Sequence, residues 1–245
     1  MKKLLTVLLL GLTIVSVGQE KVLLRLNYEK GDVYEMNMKM TQNMGVGVMS
    51  MNTTMTMSQE ITDVSDKEYE STMKITKMIM DMSQGGMQMS YDSSKKGEEL
   101  DQAGKMMKAQ MEPMLKATIT AKGDKLGKIL ETKVLPNIPG ASDLTKQSSN
   151  VTYPETAVVV GDTWSMIKDS KGMKFNFVYK VTSISSKSVL LNVSGKVEGI
   201  ATGDITGSMS IDRKSGVPVN SKIDMIIQIQ GQELKTNVEM NIVKQ

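Results

Sequence analysis

The stretch MNMKMTQNMGVGVMSMNTTMTM, from Met36 to Met57, restricts the fold more than any other part of this chain. Met36, Met38 and Met40 alternate with Asn37, Lys39 and Thr41. A period of two gathers one set on one face only in an extended backbone, because successive side chains of a strand point to opposite sides. In a helix the same residues would scatter around the axis. Gly45 and Gly47 interrupt the pattern as a turn or a bulge does. Alternation resumes at Met49 and Met51, returns at Met55 and Met57, and runs on to Ile61. Thr, Val, Ser and Met dominate as far as Tyr91, broken at DVSDK and SQGG. The pattern predicts a run of antiparallel strands.

One stretch departs from it. In EELDQAGKMMKAQM, Leu100, Ala103, Met107 and Met111 recur at helical spacing. Glu98 and Glu99 sit near the start and Lys105 and Lys108 further on, which suits the helix dipole. A helix is predicted from Leu100 to Met111, with Pro113 ending or kinking it. Strands resume in MLKATITA and KILETKV. The chain over about 136–156 is rich in Pro, Ser, Thr, Asn and Gly and reads as a surface connection. Beyond Val158, strands alternate with the turns GDT, DSKG, SISSK and DRKSGVP.

Three short matches point to an internal repeat. KGDVYEM (Lys30–Met36) pairs with VGDTWSM (Val160–Met166). ITDVSDK (Ile61–Lys67) pairs with VTSISSK (Val181–Lys187), and MSYDSSK (Met89–Lys95) with MSIDRKS (Met209–Ser215). The order is the same in both halves, and the first half is longer inside the methionine-rich tract. In this alignment Met55 stands where Phe175 stands, and Met57 where Phe177 stands. Methionine then fills apolar positions, which its unbranched, adaptable side chain suits.

The N-terminus reads as a secretory signal over 1–18. Lys2 and Lys3 precede the apolar run Leu4–Val17, and Ser16 and Gly18 are small residues before Gln19. The remainder, 19–245, reads as one β-rich domain. Its parts are a first repeat over about 22–97, a helix with connecting strands over about 98–135, the connection over about 136–156 and a second repeat over about 157–245. No cysteine is present, so no disulfide framework supports the fold. The formal net charge of +3 falls further once Lys2 and Lys3 leave with the signal, and neither sign forms a block. With aromatics at 4% of the chain, nucleic-acid binding is not expected.

Histidine is absent too, which excludes Ser-His-Asp and Cys-His catalysis and a typical zinc site. The acids are scattered through turns with no aromatic-lined cleft, and KGDKLGK lacks phosphate-loop spacing. The 24 methionines remain. Thioethers select Cu(I), and MNMKM, MSM, MTM, MIMDM and MQM each place sulfurs on one strand face.

The pattern L-x-Y-x-K-G-D-x-Y from Leu26 to Tyr34, the helix running into MLKATITAKGDKLGKI, and VVVGDTWS resemble a family of secreted β-rich proteins of Gram-negative bacteria, a domain of unknown function. The β-then-helix layout also resembles the outer-membrane lipoprotein carrier fold and related mycobacterial lipid-binding lipoproteins. Those wrap a curved antiparallel sheet around an apolar cavity, although this chain lacks their lipidated cysteine. That second resemblance is to a fold, not to a site.

The expected fold is mainly β: a curved antiparallel half-barrel of two related halves, with one helix on the concave face. The expected function is non-enzymatic and cofactor-free. An exported protein, periplasmic, outer-membrane-associated or extracellular, would hold an apolar small molecule or lipid in a methionine-lined cavity, with peripheral membrane contact and no nucleic acid. The ligand set is Met36, Met38, Met40, Met55, Met57, Met107, Met111, Phe175 and Phe177. Two alternatives stand beside it. One is Cu(I) or Ag(I) held by Met36, Met38, Met40, Met49, Met51, Met55 and Met57; the other is an envelope or surface scaffold.

Overall fold

Alternation translates directly into burial. In β1 (Val33–Met44) Tyr34 and Met36 are buried while Lys39 and Asn43 are exposed. The computed structural model describes residues 20–45, 47–138, 151–170 and 172–245. The signal-peptide reading and most of the connection after Ile138 lie outside the described residues.

β1 is followed by β2 (Met49–Val64), β3 (Glu68–Gln84) and β4 (Met87–Asp92). After one 3-10 turn come α1 (Gln102–Lys116), β5 (Thr118–Asp124) and β6 (Ile129–Leu135). The second half holds β7 (Thr163–Ser170), β8 (Met173–Ile184), β9 (Ser188–Gly199), β10 (Thr202–Asp212), β11 (Pro218–Ile229) and β12 (Gln232–Lys244). All strands join one open, curved antiparallel sheet in the order β6-β5-β3-β2-β1-β12-β11-β10-β9-β8-β7, with β4 alongside β3 off this path. β12 therefore stitches the two halves together by pairing with both β1 and β11.

The same hydrogen bonds occur twice. Gly31 N–H donates to the Ile61 carbonyl and Ile61 N–H to that of Asp32; Gly161, Val181 and Asp162 repeat the set. The turns at Ser65–Glu68 and Ser185–Ser188 close alike, at 2.8 and 2.9 Å. The strand register slips after Ile61 and again after Val181. Met89–Lys95 and Met209–Ser215, matched in sequence, do not occupy equivalent places. Met89 lies on β4, off the main order, whereas Met209 lies on β10 between β9 and β11. β5 stands where β10 stands: Lys125 N–H donates to the Lys67 carbonyl as Arg213 N–H does to that of Lys187. A shared turn sequence misled the match, because turn chemistry recurs wherever hairpins do.

The halves differ in how their inner face is filled. In β9 and β10, Gly195, Gly203 and Gly207 face inward, and a Cβ on any of them would lie within 2.1–2.3 Å of a neighbouring strand's carbonyl oxygen. The sheet curls here with a neighbouring strand's backbone close against each glycine, and Phe177 stands directly opposite Gly195. In the first half Ile75 faces Met57 at the corresponding rung, and helix α1 packs over both.

The helix begins where Asp101 Oδ1 accepts from Gly104 N–H at 2.7 Å, a conventional N-cap. Pro113 does not end it; the helix continues to Lys116. Pro113 has no N–H to give the Ala109 carbonyl, so it costs the helix one hydrogen bond. Met114 and Leu115 beyond it pack against the cluster of Met55, Ile75 and Met78, and that burial holds the final turn.

The base of the half-barrel is closed by two extended segments. Val22 and Val158 exchange backbone hydrogen bonds at 2.9 and 2.8 Å. Leu26 N–H reaches Lys125 of the first half, and Asn27 N–H reaches Ser215 of the second. Val151 and Tyr153, read from sequence as part of a surface connection, are buried. The Tyr153 hydroxyl donates to the Gly216 carbonyl at 2.6 Å. Their apolar side chains complete a core that the two sheet halves leave open at this end.

Asp32 is an anchor of the same region. Its carboxylate accepts from Tyr34 OH and Glu29 N–H, both at 3.1 Å, and pairs with Lys244 Nζ at 2.6 Å. Burial alone would raise its pKa, but hydrogen bonds from Lys244, Glu29 and Tyr34 outweigh that and hold it below the usual value. A depressed carboxylate stabilises the fold above its unfolded pKa of about 3.9 and loses that contribution as pH falls through the folded value. Urea titrations from pH 7 into the acid range are therefore expected to show Asp32→Asn less stable than wild type at neutrality. The gap should narrow below about pH 4. A gap unchanged by acid would remove Asp32 from the acid response.

Candidate functional site

Strand register assembles the methionines into rows. Across β12, β1, β2 and β3 the facing residues Met240, Met38, Met55 and Met78 form one continuous line. The next rung is Val238, Met40, Thr53, Met80 and, on β4, Tyr91. The one after it is Thr236, Gln42, Met51, Met82 and Met89. Neighbouring strands lie about 4.8 Å apart, so side chains along a row touch.

Helix α1 lies over this face. Met111, Met114 and Leu115 pack on Met55, Ile75 and Met78, with Met38, Met57 and Met80 at the margin. Met107 packs with Tyr91 and Leu100. The helical residues sit at i, i+4, i+7 and i+8, the spacing of one buried stripe. Full burial, as at Met107, stabilises by about 1.5–3 kcal/mol; half-buried Met111, Met114 and Leu115 contribute less.

Beneath the helix one polar atom has no partner. Thr53 is 4% exposed, and among the described residues its Oγ1 is the one buried side-chain oxygen or nitrogen without a hydrogen bond. Met40 and Met80 flank it on the adjacent strands. Leaving a buried hydroxyl unsatisfied costs about 1–3 kcal/mol.

The sequence-predicted residues divide accordingly. Met36, Met38, Met40, Met55 and Met57 share the inner face of the β1–β2 hairpin, and Met107 and Met111 approach it from α1. Met49 and Met51 continue that face toward the hairpin turn. Phe175 and Phe177 belong to the other half, packed into the main core near Tyr179 and away from the helix. Residues of this face outside the predicted ligand set are Thr53, Met78, Met80, Met114, Leu115 and Met240, although MIMDM had put Met78 and Met80 on one strand face. For Met78 and Met80 the obstacle is a bulge at Thr76, where the register slips and reverses which residues face inward. Thr76 Oγ1 donates to the Thr56 carbonyl at 3.1 Å, holding the bulge.

Two grooves lie elsewhere. One, about 760 Å³, crosses the sheet where the two halves meet, lined by polar groups such as Asn37, Thr54, Asn192, Ser208 and Asn220 and by Leu190, Leu191, Met209 and Met240. Several are mutually satisfied: Asn241 donates to Asn220 at 2.8 Å, and Lys222 pairs with Glu239 at 3.1 Å. The other, about 620 Å³, runs past Arg25, Lys67 and Asp124 at the base. Neither takes in any of the nine predicted ligand residues. On edge strand β7, Lys168 stands opposite Phe175, and burial pushes its ammonium down to about 8. Among the described residues no group of three or more His, Cys, Asp or Glu is placed to hold a metal ion, and no helix is long and apolar enough to cross a membrane.

The chemistry this face offers is adaptable apolar contact, soft sulfur and one unmet hydroxyl. No protein-family model matches the chain, and no curated protein matches it in sequence.

Proposed function

We propose that this is a non-enzymatic exported binding protein. It holds an apolar ligand bearing one hydrogen-bonding group, of the kind found in fatty acids and other lipids, between the methionine face and α1. The observation that carries this reading is Thr53. A hydroxyl buried without a protein partner between Met40 and Met80 costs the fold stability, and the polar group of a ligand would satisfy it. Methionine suits the rest of the site, because flexible thioether side chains repack around ligands of varied shape. The open sheet and the single covering helix supply a route in, by displacement of α1 from β3 and β4.

Thr53→Val keeps the shape and removes the hydroxyl, so two readouts should move in opposite directions. The ligand-free variant is expected to gain about 1 kcal/mol in urea denaturation. Its affinity for cis-parinaric acid, followed by fluorescence, is expected to fall about tenfold. Native mass spectrometry of the protein purified from its host should show bound lipid in the wild type. Equal parinarate affinity in both proteins, or a wild type that neither carries lipid nor binds the probe, would refute the reading.

A further inference from the structure

The end of this face farthest from the base holds six methionines, most of them outside the packing of α1. Met44 faces Met49 across the β1–β2 turn. Met51 faces Met82, which faces Met89 on β4. Met87 faces Gln84, the neighbour of Met49. The clusters packed against α1 include Met89 but not the other five. None of the six is fully buried, and Met87 is 66% exposed, whereas Met55 and Met78 are buried.

The geometry suits coordination. Facing residues on paired strands have Cβ atoms about 4.5–5.5 Å apart, and residues two apart on one strand lie about 6.8 Å apart. Methionine has three rotatable side-chain bonds, enough for sulfurs from Met49, Met51 and Met82 to converge on one point. Thioether sulfur is soft and uncharged, so it favours monovalent d10 ions over hard divalent ones. The surroundings reinforce that choice. Gln42, Gln84 and Thr236 share these rungs and are neutral. Asp81 projects from the opposite face of β3, where it accepts from the Ser90 hydroxyl at 2.7 Å. The chain contains no cysteine or histidine to compete for a soft ion.

We propose that Met44, Met49, Met51 and Met82, flanked by Met87 and Met89, bind a soft monovalent cation, Cu(I) or Ag(I), through converging thioether sulfurs. The site does not depend on the lipid reading.

Silver nitrate titrated into the protein from Gln19 onward, in chloride-free nitrate buffer, tests it by calorimetry and native mass spectrometry. The wild type is expected to take up a single Ag(I) and to ignore Zn(II). Replacing Met44, Met49, Met51 and Met82 together by leucine should weaken Ag(I) binding at least tenfold. Met36→Leu/Met38→Leu/Met57→Leu, on the same hairpin but nearer the base, should retain Ag(I). Circular dichroism establishes that each variant is folded; if the fourfold variant is not, Met51→Leu and Met82→Leu singly should each lower affinity. The proposal is overturned by a wild type that does not bind Ag(I), by tip variants that bind it as well as wild type does, or by equal loss in the hairpin control.

Discussion

Gly195→Ala is expected to destabilise the protein by at least about 4 kcal/mol, a loss in the tail of single-substitution effects. One methyl group suffices. Its carbon would lie 2.1 Å from the Asn176 carbonyl oxygen and 3.3 Å from Phe177 Cα. Both are backbone atoms of β8, held in a ladder that runs from Met173↔Gly199 to Ile184↔Val189. No side-chain rotation relieves the clash, so β8 and β9 must part or the curl must open. Opening the curl would strip Phe175, Phe177, Val193 and Val197 of their packing. With a domain's total stability at about 5–15 kcal/mol, a loss of this size shows as a large drop in the urea midpoint. Gly97→Ala provides the contrast: its nearest neighbour would be the flexible end of Lys108 at 3.7 Å. It should change stability by less than about 0.5 kcal/mol. Comparable midpoints for the two variants would show that the tight curl is not required.

Leu24→Ala is expected to cost about 3 kcal/mol, within the usual range for emptying a leucine site in a core. Leu24 is 1% exposed, in the extended segment that closes the base. Its neighbours in sequence tie that segment down on several sides. Arg25 donates to the Pro154 and Glu155 carbonyls at 2.8 and 2.6 Å. Leu26 and Asn27 bond the first and second halves respectively. The cavity therefore cannot collapse by letting the segment drift, which places the cost above simple transfer. A single unfolding transition should persist, because the segment belongs to both halves at once. A midpoint within error of wild type would mean that the strap rests on the core without contributing to it.

The period-two pattern made the strands legible, since alternation was clean from Met36 to Met40 and from Met55 to Ile61. The helix was legible from Met107 and Met111, but not its last turn, because what holds Met114 and Leu115 beyond Pro113 is contact with residues distant in sequence. Parity failed at Thr76. A bulge adds one residue to one strand, and nothing in MKITKMIM announces where the count is broken. The base closure was hidden for a related reason. Val151 and Tyr153 sit beside a stretch rich in turn formers, and only the gap between the halves makes them core. Thr53 was illegible in principle: its hydroxyl is unpaired because of what stands on the two neighbouring strands, and sequence order does not show those neighbours.

The place of β12 bears on how the chain reaches this state. The first and last strands in chain order, β1 and β12, are hydrogen-bonded neighbours at the middle of the sheet. During synthesis β1 therefore keeps one bare edge until the ten strands between it and β12 have been made. Pairing at such long sequence separation is slow, because chain entropy is lost before the contact forms. An early first half has an unpaired strand and no completed sheet to settle into. The same delay leaves a methionine-rich edge open to other chains, and closing it is the task that falls to the last strand.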